Sequence, residues 1–171
     1  MRGEARRKQI QAILAGSDRP VTGSDLAQRF GVSRQVIVQD VALLRAEGQA
    51  ILATPQGYLL AGDGPQPLYR KTFAVSHGVR ELEEELNAIV DCGGRVVDVT
   101  VEHPLYGELK GLLMLASRRE VREFVTNLQE SGAAPLSLLT SGVHLHTVEA
   151  FAPEVLERIQ DRLDALGFLI R

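Results

Sequence analysis

SDLAQRFGVSRQVIVQDVALLRAEG, residues 24–48, is the stretch that decides the fold of the first part of this chain. Ser24 is a good N-cap for a short helix over Asp25–Phe30, and Gly31 suits its end. Ser33 is a second N-cap two residues later, opening a longer helix through about Glu47. Two helices joined by a turn of about three residues form a helix-turn-helix. Geometry tests the second one. At about 100° per residue, Ile37, Val41 and Leu44 cluster on one side, to pack on the other helices. Gln35, Gln39, Ala42 and Ala46 cluster roughly opposite, with Val38 at the edge. Arg34 lies in the first turn, where recognition helices meet base edges. Arginine and glutamine carry the forked donors and acceptors that read guanine and adenine, and Val38 suits a thymine methyl.

Upstream, Ile10, Ile13 and Leu14 give a helix over Glu4–Ala15 an apolar stripe, with Gly16 as its stop. PVTG, residues 20–23, reads as a turn or short strand. Downstream, AILATPQGYLLA, residues 50–61, holds two short apolar runs around Pro55-Gln56-Gly57. That is a β-hairpin in the position of the wing of a winged helix. The candidate DNA contacts are Ser33, Arg34, Gln35, Val38 and Gln39, with Gln56 and Tyr58 from the wing. Arg6, Arg7 and Lys8 suit phosphate contacts or a solvated N-terminus equally. An exposed Gln/Arg face on a small helical domain is often only solvated; the order of elements and the wing favour DNA.

The whole chain has 171 residues, 44% hydrophobic and 24% charged, as in ordinary globular proteins. The single cysteine, Cys92, excludes an internal disulfide and fits a reducing, cytoplasmic location. No signal peptide and no apolar run of about 18 residues is visible, so no membrane partner is expected. Residues 1–64 carry eight Lys/Arg and six Asp/Glu, net +2, against −5 for the rest. Phosphate contacts supply most of the affinity for DNA, so this small excess points to a homodimer. The divide falls at LAGDGPQP, residues 60–67, whose glycines and prolines suit a linker. A DNA-binding domain is therefore expected over 1–62 and a second domain over 68–171.

The second domain reads as alternating strands and helices. RKTFAVSH (70–77) is a strand, GVRELEEELNAIVDCG (78–93) a helix, and RVVDVTVEH (95–103) and LKGLLMLAS (109–117) strands. SRREVREFVTNLQESG (117–132) is a helix capped by Ser117, VHLHTVEAF (143–151) a strand, and PEVLERIQDRLDALG (153–167) a helix with Pro153 at its start. The order βαββαβ with a terminal helix suggests an α+β, ferredoxin-like sandwich, whose last strand lies antiparallel beside the first.

That adjacency bears on the histidines. His144 and His146 share one face of the last strand, and His77 ends the first. Three imidazoles on neighbouring strands make a plausible transition-metal site, and Glu81, Glu83, Glu84 and Glu85 follow on the next helix. A bland reading is partly exposed strand histidines beside a solvated acidic helix. On spacing, Glu81 lies one turn past His77 and Glu85 two turns, about 12 Å by rise. HPLYGE, residues 103–108, is a turn in which His103 and Tyr106 suit hydrogen bonding to a small ligand or holding the turn itself.

Together these features resemble a known family. TGSDLAQRFGVSRQVIVQDVALLRAEG followed by GYLL looks like the N-terminal domain of the niacin-responsive transcriptional repressors of NAD biosynthesis. HGVRELEEELNAIVDCGGRVVDVTVEHPLYGEL and SGVHLHTVEA look like their C-terminal 3H domain, named for three histidines. The match runs from about Arg6 to Leu169. The resemblance implies a bacterial winged-helix repressor that binds operator DNA of NAD synthesis, salvage or niacin-uptake genes, with nicotinic acid as co-repressor. It also implies a divalent metal held by His77, Glu85, His144 and His146, with Glu81 the alternative carboxylate on spacing. The donor set suits nickel, zinc, iron or copper alike. The effector is expected near the metal and the His103–Tyr106 turn. Two rivals stand beside this reading. One is a metal-responsive regulator; the other is a metal-dependent hydrolase of a niacin-like amide, with Glu81 or Glu84 as base.

Overall fold

The computed structural model describes residues 3–61 and 69–171. The chain divides into two compact units, Met1–Gly64 and Pro65–Arg171. Most of the stretch read as a linker, 60–67, and the expected boundaries at 62 and 68 lie outside the described residues.

The first unit contains α1 (Gly3–Ala15), α2 (Gly23–Phe30), α3 (Arg34–Ala46) and a hairpin of β1 (Ile51–Thr54) and β2 (Gly57–Leu60). The cap of α2 is Thr22 rather than Ser24. Its extended backbone lets Oγ1 accept the Asp25 N–H at 3.0 Å, so the helix begins one residue before Ser24. Ser33 caps α3 by accepting the Val36 N–H at 3.3 Å. Ile10, Leu14, Leu26, Ile37, Val41, Leu44 and Ile51 form the core. Val21 and Tyr58 exchange backbone hydrogen bonds of 2.8 Å, so the PVTG segment adds a bridge to the wing.

One residue on the inner side of α3 is not apolar. Asp40 is buried, and Arg6 donates to it from Nε at 2.5 Å, with Arg7 at 3.8 Å. The first two arginines of the basic N-terminal cluster therefore turn inward to α3. An ion pair so enclosed fixes α1 against α3, because either partner alone would be an uncompensated buried charge.

The second unit runs β3 (Tyr69–Ser76), a 3-10 turn (Val79–Glu81), α4 (Leu82–Asp91), β4 (Arg95–His103), β5 (Gly107–Leu115), α5 (Arg118–Ser131), a 3-10 turn (Leu136–Thr140), β6 (Val143–Ala150) and α6 (Pro153–Ala165). The class is α+β, with the expected order of strands and helices. The sheet order is β3-β6-β4-β5 and every pair is antiparallel. The last strand lies beside the first, as expected, and also beside β4, so it is central. A ferredoxin-like sheet places its first and third strands at the centre; here the second and fourth stand there. A central place suits β6, where His144, His146, Val148 and Ala150 are all buried on one face.

The helices pack on that face. Phe73, Val75, Leu86, Ile89, Val96, Leu115, Val121, Val148, Ile159 and Leu163 form one core. The opposite face carries Ala74 beside Leu145 and Thr100 beside Lys110. At one end of it Arg70 and Arg95 both pair with Glu149, which is buried. The C-terminal residues bridge part of the β3 edge, Val75 to Leu169. Among the described residues, no helix is long and apolar enough to cross a membrane.

Candidate functional site

Chain geometry brings four side chains of the second unit together. His77 follows β3, Glu85 is on α4, and His144 and His146 are on β6. Val75 pairs with His144 and Phe73 with His146, so β3 delivers its terminal residue next to His144. Gly142 makes this approach possible. Its φ is +101°, and a Cβ there would stand 2.5 Å from the His77 carbonyl oxygen. Only a residue without a side chain lets β6 begin this close to β3.

Glu85 is fully buried, and the Nε2 atoms of three imidazoles surround it. Its Oε2 lies 2.5 Å from His77 Nε2 and 3.3 Å from His144 Nε2; its Oε1 lies 3.4 Å from His146 Nε2. His77, Glu85 and His144 offer ligand atoms within 4.8 Å of one another. The other ring nitrogens are used as well. Nδ1 of His77 donates to Gly78 O at 2.8 Å, that of His144 to Gly142 O at 2.7 Å, and that of His146 to Asp98 O at 2.7 Å. A carbonyl only accepts, so each Nδ1 carries a proton. In the neutral rings every Nε2 then presents a lone pair to the centre. Glu85 Oε1 and His146 Nε2 have no hydrogen-bond partner.

Electrostatics follow from this packing. Burial alone would raise the Glu85 pKa, but the charge of His146 and the hydrogen bonds from the imidazoles, which the rings supply only in their protonated form, hold it far below the usual carboxylate range. Burial would lower His77 and His146, and Glu85 outweighs it, so both are raised. The centre holds three imidazole nitrogens and one carboxylate. Glu81 does not join it. It ends the 3-10 turn, with a carboxylate oxygen near Gly78.

The effector candidates are placed differently. His103 Nδ1 accepts the N–H groups of Leu105 at 3.1 Å and Tyr106 at 3.3 Å, and the two rings lie 5.1 Å apart. His103 thus holds its own turn. Among the described residues, neither His103 nor Tyr106 makes a hydrogen bond or ring contact with the imidazole cluster. Tyr106 is 70% exposed.

On the first unit, Ser33, Arg34, Gln35 and Gln39 are exposed, and Val38, Gln56 and Tyr58 are half-buried. The Tyr58 ring and the Arg34 side chain both border Gly23, so wing and helix start meet there. Tyr58 also packs on the core. The sequence reading passed over Asp40, although a carboxylate between Ile37, Val41 and Leu44 on an apolar stripe was a visible signal. It also passed over Glu149, whose partners come from two other strands.

Residues 6–59 match an HTH domain model and residues 70–171 match the 3H domain model. The chain is 49% identical to "Probable transcription repressor NiaR" of Thermotoga maritima, over 98% of this chain and 94% of that protein. It is 42% identical to "Transcription repressor NadR" of Bacillus subtilis, over 99% and 95%.

Proposed function

Because this chain belongs to the family of transcription repressors that join an HTH domain to a 3H domain, we propose that it represses genes of NAD synthesis, salvage or niacin uptake, with nicotinic acid as co-repressor and a divalent metal in the 3H domain. It is a regulator rather than an enzyme, as its relatives are transcription repressors, and the amide hydrolase reading falls with that.

The observation that carries the metal is the convergence of three Nε2 lone pairs on a fully buried carboxylate. His77, Glu85, His144 and His146 would hold the ion. The orphaned Glu85 Oε1 and His146 Nε2 fit a cation between them. The carbonyls of Gly78, Gly142 and Asp98 orient the rings, the usual role of groups behind metal-bound histidines. When bound, the ion supplies a fixed positive charge that offsets Glu85 and ties α4 to the ends of β3 and β6. Nickel, zinc and iron all suit this donor set.

On the DNA side, Arg34, Gln35, Val38 and Gln39 would face base edges, Ser33 the backbone, and Gln56 and Tyr58 the flanking groove. A homodimer would place two α3 helices in successive major grooves about 34 Å apart. His103 and Tyr106 would contact the pyridine carboxylate through the free imidazole nitrogen and the phenol. A co-repressor shifts the population only by binding the DNA-competent state better. Operator titration with nicotinic acid, nicotinamide and quinolinate, before and after chelation, tests this. Tighter binding with nicotinic acid and metal is expected. Equal affinity with and without nicotinic acid, metal loaded, removes the mechanism. Affinity that tracks the metal and ignores every pyridine makes the protein a metal sensor instead.

A further inference from the structure

We propose that the second copy of this chain docks along the outer edge of β5, so that two four-stranded sheets join into one. This rests on the homodimer of the proposed function and names its surface. The sheet has two edges. That of β3 is blunted, since the C-terminal residues bridge it at Val75 and Arg70 and Lys71 place like charges along the rest. The edge of β5 is nine residues long, and no described segment pairs with it. An edge so long and open is a template for a further strand.

The charges on β5 select the partner. Glu108 stands directly opposite Glu102 on β4, a like-charge pair that costs stability. The nearby cation is Lys110, 3.8 Å from Glu108 and 3.9 Å from Asp98. One ammonium thus serves two carboxylates, while Glu102 stands opposite Glu108 with no cation of its own paired to it among the described residues. An antiparallel pairing of β5 with itself about Leu109 sets Glu108 opposite Lys110 of the second copy, and Lys110 opposite Glu108, so each strand supplies what the other lacks. Gly107 falls opposite Gly111, with no side chain in the way. Beyond them, Tyr106, at 70% exposure, falls opposite Leu112 on the half-buried side of the sheet. A two-fold contact of this kind is self-complementary, as a closed dimer requires. It also places the His103–Tyr106 turn at the seam, where a ligand would bias dimer geometry.

The test uses the full chain in sedimentation velocity across a concentration series. The wild type is expected to dimerise. Glu108→Lys and Lys110→Glu should each weaken the dimer by about tenfold, because symmetry counts each reversed pair twice. The double reversal, Glu108→Lys with Lys110→Glu, should return affinity to near wild type. Glu108→Lys relieves the repulsion with Glu102 inside each chain but sets a lysine beside Lys110, so an unchanged thermal transition in that variant is required to show that loss of dimer is not a folding defect. A dimer indifferent to the single reversals, or one the double reversal fails to restore, overturns this surface and leaves the homodimer standing. A wild type that stays monomeric overturns both.

Discussion

Gly142→Ala perturbs the approach of β6 to β3 with the smallest possible change. Two costs add. An alanine at φ +101° is outside the favoured left-handed region and carries about 1–3 kcal/mol of backbone strain. Its Cβ would also stand 2.5 Å from the His77 carbonyl oxygen, well inside contact, and the obstacle is backbone rather than a side chain that can swing away. Together these suggest a loss of about 2–4 kcal/mol. Gly132→Ala separates the two costs. That glycine has φ +68° and nothing within 4 Å of the Cβ position, so only the strain of about 1–2 kcal/mol applies. Differential scanning calorimetry should lower the transition of the second unit by roughly 10–20 °C for Gly142→Ala and about half that for Gly132→Ala. To relieve the contact, the His77 peptide must move, and the imidazole moves with it away from Glu85. Gly142→Ala should therefore also bind divalent metal more weakly, while Gly132→Ala should not. Equal shifts for the two variants, with metal binding unchanged in both, would refute the reasoning.

Further outcomes follow from other parts of the molecule. Burial would raise the Glu149 pKa, but Arg95 and Arg70 outweigh it and hold the carboxyl below its ordinary value. A depressed pKa contributes stability that is present above about pH 4.3 and lost as pH falls through the folded value. Glu149→Gln should thus lower stability at neutral pH and flatten its acid decline, read by urea unfolding at several pH values. Divalent metal should raise the Tm of the wild type, and His144→Ala or His146→Ala should abolish that rise, since a ligand stabilises only the state that binds it; a full rise in either variant would remove that residue from the site. Arg34→Ala should weaken operator binding by about 1–3 kcal/mol and relax specificity at one base position. Arg6→Gln should instead lower the Tm and leave the salt dependence of DNA binding unchanged, because that guanidinium is committed to Asp40; gel-shift titrations over a salt series distinguish the two.

Local signals were the legible part of this fold. Ser33, Ser117 and Pro153 mark helix starts because a cap or a fixed φ acts within one turn. The stripe of Ile37, Val41 and Leu44 marked the buried side of α3 for the same local reason. The order of strands was less legible, since pairing joins residues far apart and alternation along a strand says nothing about its neighbour. The buried carboxylates were hidden for that reason too. Asp40 meets Arg6 across 34 positions, and Glu149 meets Arg95 and Arg70 across 54 and 79. A charged residue looks solvated until its partner arrives from another element.

Glu85 and Glu81 show how local geometry decides a site. Measured along a helix, Glu81 stands nearer to His77. That measure assumes the helix begins at His77, and it does not. Residues 79–81 form a 3-10 turn, which rises about 2.0 Å per residue, and α4 starts only at Leu82. The turn keeps Glu81 at the rim beside Gly78. From Leu82 the α-helical period places Glu85 and Ile89 on one side with Leu86 adjacent, and all three are buried. Glu85 is thereby drawn under the sheet by the apolar stripe it borders. A carboxylate so enclosed costs several kcal/mol unless positive charge meets it. The apolar packing of α4 thus creates the need for positive charge beside Glu85, which protonated imidazoles or the proposed metal would meet, and His77, His144 and His146 gather around the carboxylate. Glu85→Gln should then reduce divalent-metal affinity sharply, and Glu81→Gln should leave it near wild type, as measured by calorimetric titration of the chelated protein. The reverse order of effects would move the carboxylate ligand to the rim.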